Sequence, residues 1–244
     1  MRVPEADTED TPMTPLLLVP GLLCDRALFR AQVDALGGST EVGVTTAQAR
    51  HDSIAATVAE ILAAAPPRFA LAGLSMGGYV ALELVRTAPE RVTRLALLDT
   101  TARPDAPEQT TRRRDLMALV AQGRFGEVCG ALARSFIAPS RHADEVLLGA
   151  IVAMAERVGA EAFLRQQRAI IARRDQRDTL PAIRCPTLVL CGREDTLTPP
   201  PLAEEIAAAI PGAELRLLDG SGHLSPMEAP EAVSAALRAW LGGA

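Results

Sequence analysis

Two residue types are missing from this chain. It has no lysine, so all 25 of its basic residues are arginine, and it has no asparagine. The second absence excludes N-linked glycosylation, which needs an Asn acceptor. Cysteine is sparse: Cys24, Cys129, Cys185 and Cys191 form no C-x-x-C pair, and three of them lie in apolar segments. Free, buried or half-buried thiols in a reducing compartment are expected, rather than a disulfide framework. No apolar run approaches the ~20 residues of a membrane-spanning helix. Residues 1–13 are polar and acidic, without the charged-then-apolar layout of a secretory leader. The cytoplasm is therefore the expected compartment. No block of like charges occurs and the net charge is −5, which argues against nucleic acid or an anionic membrane as partner.

What the chain does have is apolar substance. Hydrophobic residues make up 48% of 244, enough for one large α/β domain or a core carrying an insertion. Apolar runs at Leu16–Val19, Phe69–Leu74, Val92–Leu98 and Pro186–Cys191 read as buried strands. Val42–Thr45 and Ala213–Leu218 are weaker strand candidates. Helical spacing fills the gaps: Ala27–Leu36, a helix from Ile54 capped by Asp52 or Ser53, one from Pro199 to Ile210 and a last one opened by Pro230. Strands alternating with helices imply a mostly parallel sheet covered on both faces.

The alternation breaks once. From Thr101 to about Leu180 no strand is expected, only four helical patterns, the first over Asp115–Gln122. The domain reading follows: a tail over 1–13, a core over 14–100 and 181–244, and a helical cap inserted over 101–180.

The chemistry concentrates at Gly73-Leu74-Ser75-Met76-Gly77, between an apolar strand and a helical pattern. In a G-x-S-x-G the serine sits on a sharp strand-to-helix turn, and the glycines let strand and helix approach. Its hydroxyl is then exposed at a helix N-terminus, which favours negative charge. A serine needs a base, and the base an orienting carboxylate. Of the three histidines, His51 and His142 are expected at the solvated starts of helices. His223 follows the last strand within Asp219-Gly-Ser-Gly-His-Leu. Loops beyond the carboxyl ends of parallel strands line the functional crevice, so His223 is the candidate base. Asp195, after the penultimate strand, is the candidate acid, with Glu194 and Asp99 as rivals.

Taken together, these residues resemble the α/β-hydrolase family, over nearly the whole of Leu16 to Leu241. The specific parts are Gly73-x-Ser75-x-Gly77-Gly78, Gly192-x-x-Asp195 with Pro199, and Gly222-His223. The position of the helical insertion also looks like that family's lid. The chain order Ser…Asp…His is the one expected of this architecture, which favours Asp195. The resemblance implies a catalytic set of Ser75, Asp195 and His223, and an oxyanion hole from the backbone N–H groups of Leu22 and Met76. Pro20-Gly21 stands where many relatives have His-Gly, and the usual first pair of strands is missing or very short before Leu16. The implied activity is cofactor-independent and metal-free hydrolysis of a small ester or thioester. Carbon–carbon bond hydrolysis, lactone hydrolysis and perhydrolysis would use the same three residues, and a non-catalytic receptor would keep only the fold. Candidate pocket residues are Leu22, Leu23, Met76, Phe136, Met154, Phe163 and Leu224, with packing inside the helical insertion the favoured expectation for each of those within it. Among the arginines at 112–114, 165, 168, 173, 174 and 177, most are expected on a solvated face or paired with Asp175 and Asp178. One pointing inward could hold a substrate carboxylate.

Overall fold

The computed structural model describes residues 14–243; the expected tail over 1–13 and any strand before Thr14 lie outside them. Among the described residues, six strands form one sheet: β1 (Leu16–Val19), β2 (Val42–Val44), β3 (Phe69–Leu74), β4 (Val92–Leu98), β5 (Thr187–Gly192) and β6 (Glu214–Leu218). Their order is β2-β1-β3-β4-β5-β6 and every pairing is parallel. Burial explains the sequences. β3 and β5 are buried at every position and read as unbroken apolar runs, as strands covered on both faces must. The edge strands β2 and β6 are only half-buried, which is why their patterns are weaker.

The helices that complete the α/β alternation are α1 (Arg30–Leu36), α2 (Ile54–Ala64) and α3 (Met76–Thr87), and, after the insertion, α8 (Pro200–Ala209), α9 (Ser225–Glu228) and α10 (Pro230–Gly242). The crossovers β1-α1-β2 and β3-α3-β4 run in opposite directions, so right-handed connections place α1 and α3 on opposite faces. α1 packs on α10, and α2 on α3. Ser53 caps α2 by accepting from the Ala56 N–H at 3.1 Å. Within Ala27–Leu36, a 3₁₀ turn over Arg26–Phe29 precedes the α-helix, its entry fixed by the Asp25 carboxylate accepting from the Ala27 N–H at 2.8 Å.

Between β4 and β5 come four helices and no strand: α4 (Pro107–Ala121), α5 (Phe125–Phe136), α6 (Glu145–Val158) and α7 (Ala160–Ile171). They pack in a ring, α4 on α5, α5 on α6, α6 on α7 and α7 back on α4. α4 begins eight residues before the apolar spacing predicts. Its first half, Pro107 to Arg114, carries no apolar period. Pro107 at the first helical position starts it, and the Gln109 side chain accepts from the Ala106 N–H at 2.9 Å. No helix among the described residues is long and apolar enough to cross a membrane.

Phe163, on α7, is fully buried, its ring centroid 6.2 Å from that of Phe125 on α5. Its truncation therefore leaves a cavity that the surrounding helices cannot close. Phe163→Ala is expected to cost about 3–5 kcal/mol, read as a lowered midpoint in denaturant unfolding.

Candidate active site

The strand order reverses at β1, so the loops after β1 and β3 diverge above the sheet and leave a crevice at their carboxyl ends. Gly21 and Leu22 leave β1 there, and Ser75 leaves β3. Ser75 has φ +53° and ψ −114°, a conformation that costs a non-glycine residue of order 1–3 kcal/mol. Its surroundings enforce it. The Ser75 N–H donates to the Leu98 carbonyl at 3.0 Å, and its own carbonyl accepts from the Gly78 N–H and the Thr100 hydroxyl, each at 2.8 Å. A Cβ on Gly73 would collide with the Gly77 carbonyl, and one on Gly77 with the Val19 carbonyl. The two glycines thus let α3 start hard against the ends of β1 and β3, with the serine hydroxyl lifted into the crevice.

Two loops from the other half of the sheet meet it. His223, from the loop after β6, is buried, and its Nε2 lies 2.8 Å from Ser75 Oγ. Its Nδ1 lies 2.8 Å from Asp195 Oδ2, in the loop after β5. Asp195 is itself pinned: Oδ1 accepts from the Leu197 and Thr198 N–H groups, at 2.8 and 3.0 Å, and Oδ2 accepts from the Thr198 hydroxyl at 2.7 Å. Since Oδ2 can only accept, the proton of a neutral His223 sits on Nδ1 and leaves Nε2 free to accept from Ser75. Such a line can pass the serine proton to the imidazole and hold the resulting cation against a carboxylate.

The charge states suit that transfer. Burial opposes ionisation of Asp195, but the adjacent imidazole and the Thr198 bonds outweigh it and hold the carboxyl at about 2. Burial likewise pulls His223 down, yet the Asp195 carboxylate prevails and holds the imidazole above its ordinary 6.5.

The rivals stand elsewhere. Glu194 accepts from the Ser140 hydroxyl at 2.9 Å and its N–H at 3.3 Å. Asp99 is fully buried behind the site, accepting from the Gly192 N–H at 2.8 Å and the Ser225 hydroxyl at 2.5 Å. Burial, with the charge of Asp195 adding to it, pushes the Asp99 carboxyl well above the usual range. Asp99, Asp195 and Cys191 offer ligand atoms within 4.8 Å of one another. Each is already engaged in hydrogen bonds, the Cys191 thiol with the Gly192 and Thr198 carbonyls, so the set does not suit a cation.

Neither the Leu22 nor the Met76 amide has a partner among the described residues, and Leu22 lines the same crevice as Ser75. The turn carrying Leu22 is fixed by the Gln166 side chain, which accepts from the Leu23 N–H at 3.1 Å. Around Ser75 and His223 the crevice opens into a cavity of about 360 Å³. Leu22, Phe136 and Leu224 line it, whereas Leu23, Met76, Met154 and Phe163 do not and are packed in the interior. His51 is paired with Glu60 at 2.5 Å rather than solvated, and His142 is exposed. Arg174 and Arg177 pair with Asp178 and Asp175. The four cysteines are free, and burial pushes the Cys24 thiol beside the cavity up to about 12.

Two residues without a motif hold the site in place. Thr198 bridges Asp195 and His223, its hydroxyl 3.1 Å from Nδ1. Glu228, in the buried turn of α9, accepts from the N–H groups of Ala138 (2.7 Å), Gly222 (3.0 Å) and Leu224 (3.0 Å). It fastens the histidine loop to the chain leaving α5. The Phe136 carbonyl adds to this by accepting from the His223 and Leu224 N–H groups at 3.1 and 3.0 Å.

A model described as the alpha/beta hydrolase family matches residues 16–236. A Mycobacterium tuberculosis protein provisionally named non-heme bromoperoxidase BpoC is 32% identical over 209 residues, 82% of this chain and 77% of that protein. A pimeloyl-[acyl-carrier protein] methyl ester esterase of Neisseria meningitidis is 27% identical over 184 residues, covering 70% of this chain and 68% of its own. In structure, the malate-bound thermophilic esterase of Thermogutta terrifontis superposes with a TM-score of 0.81 at 34% identity, over 94% of this chain and 90% of that one.

Glu228 gives a test of the scaffold. In Glu228→Gln the new NH2 group would face one or two of the three N–H donors, depending on which way the amide turns. A loss of about 1–3 kcal/mol is expected, measured as a fall in thermal midpoint.

Proposed function

The chain belongs to the alpha/beta hydrolase family, and from that membership we propose that it is a cofactor-independent serine hydrolase cleaving a carboxylic ester or thioester through an acyl-enzyme. The observation that carries this reading is the unbroken hydrogen-bonded line from Asp195 through His223 to Ser75, opening on a cavity. A receptor would have no use for a strained serine, a tautomer-fixed imidazole and an ionised buried carboxylate aligned together.

In this reading Ser75 Oγ attacks the carbonyl carbon while its proton passes to His223 Nε2. Asp195 holds Nδ1–H and stabilises the imidazolium. The carbonyl oxygen becomes an oxyanion that accepts from the N–H groups of Leu22 and Met76. Collapse of the tetrahedral adduct breaks the bond to the leaving oxygen or sulfur, which departs with the proton from His223. Water then attacks the acyl carbonyl and gives its proton to the same nitrogen. The second collapse returns a proton to Ser75 Oγ and releases the acid. Asp99 serves as a buried neighbour rather than as the acid.

We assign residues 101–180 the part of a helical cap over a core of residues 14–100 and 181–244. Support comes from the cavity walls: Ser75, His223 and Leu22 come from the core segments, while Arg113, Phe136 and Ile170 come from the inserted ones. A cap of this kind excludes water from the acyl-enzyme and limits the size of the acyl group.

Ser75→Ala is expected to abolish both p-nitrophenyl ester hydrolysis and covalent labelling by a fluorophosphonate; labelling at the wild-type rate would remove Ser75 as nucleophile. Asp195→Asn is expected to lower kcat by up to ~10⁴, and Asp99→Asn, a near-isosteric change in a carboxyl bonded to Gly192 and Ser225 rather than to His223, by only a few-fold; the reverse order would move the acid to Asp99.

The base must be neutral to act. With His223 raised, kcat/KM should therefore climb with pH along a limb centred above 6.5. A limb centred below 6.5 in a pH series on the free enzyme would contradict the Asp195–His223 coupling.

A further inference from the structure

One end of the cavity is chemically unlike the rest. α4 turns Gln109, Arg112, Arg113 and Leu116 into it. These positions are three and four apart and so share one helix face. The polar start of α4, which has no apolar period, thus faces the cavity as well as solvent. In all, four arginines line the cavity against a single carboxylate, Asp105. Arg103 is matched by Glu205 at 2.8 Å. Asp105, with a side chain 2% exposed, is shared by two guanidinium groups: Arg113 Nε and Arg173 Nη1 each lie 2.7 Å from its oxygens. Arg173 is further fixed over the face of Tyr79, 4.3 Å from its centroid. One carboxylate offsets only one of this pair, so a positive charge remains at the wall. Arg112, exposed and without an ion pair among the described residues, adds another.

Gln167 gives an independent sign. It is fully buried, yet it lines the cavity. Its Oε1 accepts from Arg113 Nη1 at 3.1 Å, which fixes which end of the amide is the oxygen. Its Nε2 is then a buried donor with no acceptor among the described residues. Buried donors are ordinarily satisfied. Here the neighbouring arginines are donors too, and the oxygens of Asp105 are already engaged. Surplus positive charge and an unmet amide call for an acceptor that carries negative charge, and the arginine fork matches a planar carboxylate. The lining that the cavity adds to Ser75 and this polar group is largely apolar and includes Leu116, Leu132, Phe136 and Ile170.

We propose that the Arg112–Arg113–Gln167 end of the cavity is a carboxylate subsite, and that the substrate is an ester bearing a free carboxylate across a short aliphatic spacer from the scissile carbonyl. The substrate part of this inference rests on Ser75 being the nucleophile; the subsite as a binding site does not.

The test compares mono-p-nitrophenyl adipate with p-nitrophenyl hexanoate, which share leaving group and spacer length and differ in the terminal carboxylate. Wild-type kcat/KM is expected to favour the adipate ester by about tenfold or more, mainly through KM, as a charge-assisted contact would give. Arg112→Gln, at an exposed position, should lower that ratio about tenfold, and Arg112→Lys should retain part of it. Gln167→Met should lower the ratio as well. In parallel, monomethyl adipate is titrated by calorimetry into the Ser75→Ala protein, alone and combined with Arg112→Gln. Binding that is weakened by the second substitution supports the subsite even if wild-type Ser75 is never labelled by a phosphonate, the result that would sink the nucleophile. Hydrolysis of both esters without preference, with no binding of monomethyl adipate, would overturn the subsite while leaving Ser75 standing.

Discussion

The close approach of α3 to the sheet at Gly73 and Gly77 is the constraint on which the rest depends. Because a helix begins where a strand has barely ended, the residue between them has no relaxed backbone conformation to adopt. Ser75 takes the positive φ, and three backbone and side-chain partners hold it there. The strain is stable because the sheet beneath it is the best-buried part of the molecule, with β3 enclosed at every residue. The strand reversal at β1 adds the open space. A serine forced upward at that point projects into the one gap a doubly wound sheet leaves between its loops.

Electrostatics then divide two buried carboxyls that lie side by side. Asp195 has an imidazole, a hydroxyl and two amides around it and stays ionised; Asp99 has one amide, one hydroxyl and the repulsion of Asp195 itself, and its carboxyl is pushed well above the usual range. Two like charges in so small a buried volume would be prohibitively costly. The group with more donors keeps its charge, and that group is the one touching His223.

Much of this was legible in the sequence because it depends on local signals. The continuous apolar runs of β1, β3, β4 and β5 stood out, and so did the glycines flanking Ser75. The edge strands were fainter because half-burial relaxes the demand on each position. The start of α4 was not legible: a helix face that turns arginines and a glutamine into a cavity has no apolar stripe to show, and Asp115 was the first residue that periodicity could reach. Phe163 and Met154 pack in the interior while Phe136 lines the cavity, a division the sequence does not show because apolar positions in successive helices read alike whether they face a cavity or one another. Thr198, Glu228 and Gln167 carry no motif. Their importance comes from partners three to 90 residues away, and no spacing in the chain encodes that.

The fastening of the histidine loop to the end of α5 has a mechanical consequence. The Phe136 carbonyl and the Ala138 N–H belong to the chain leaving α5, and both are bonded to the segment that carries His223 and Glu228. If α5 swung outward, it would tear these bonds and pull the imidazole off Ser75. Traffic in and out of the cavity therefore cannot use α5 as a hinged door. The end of α5 is instead a fixed jamb, and it keeps the imidazole aligned.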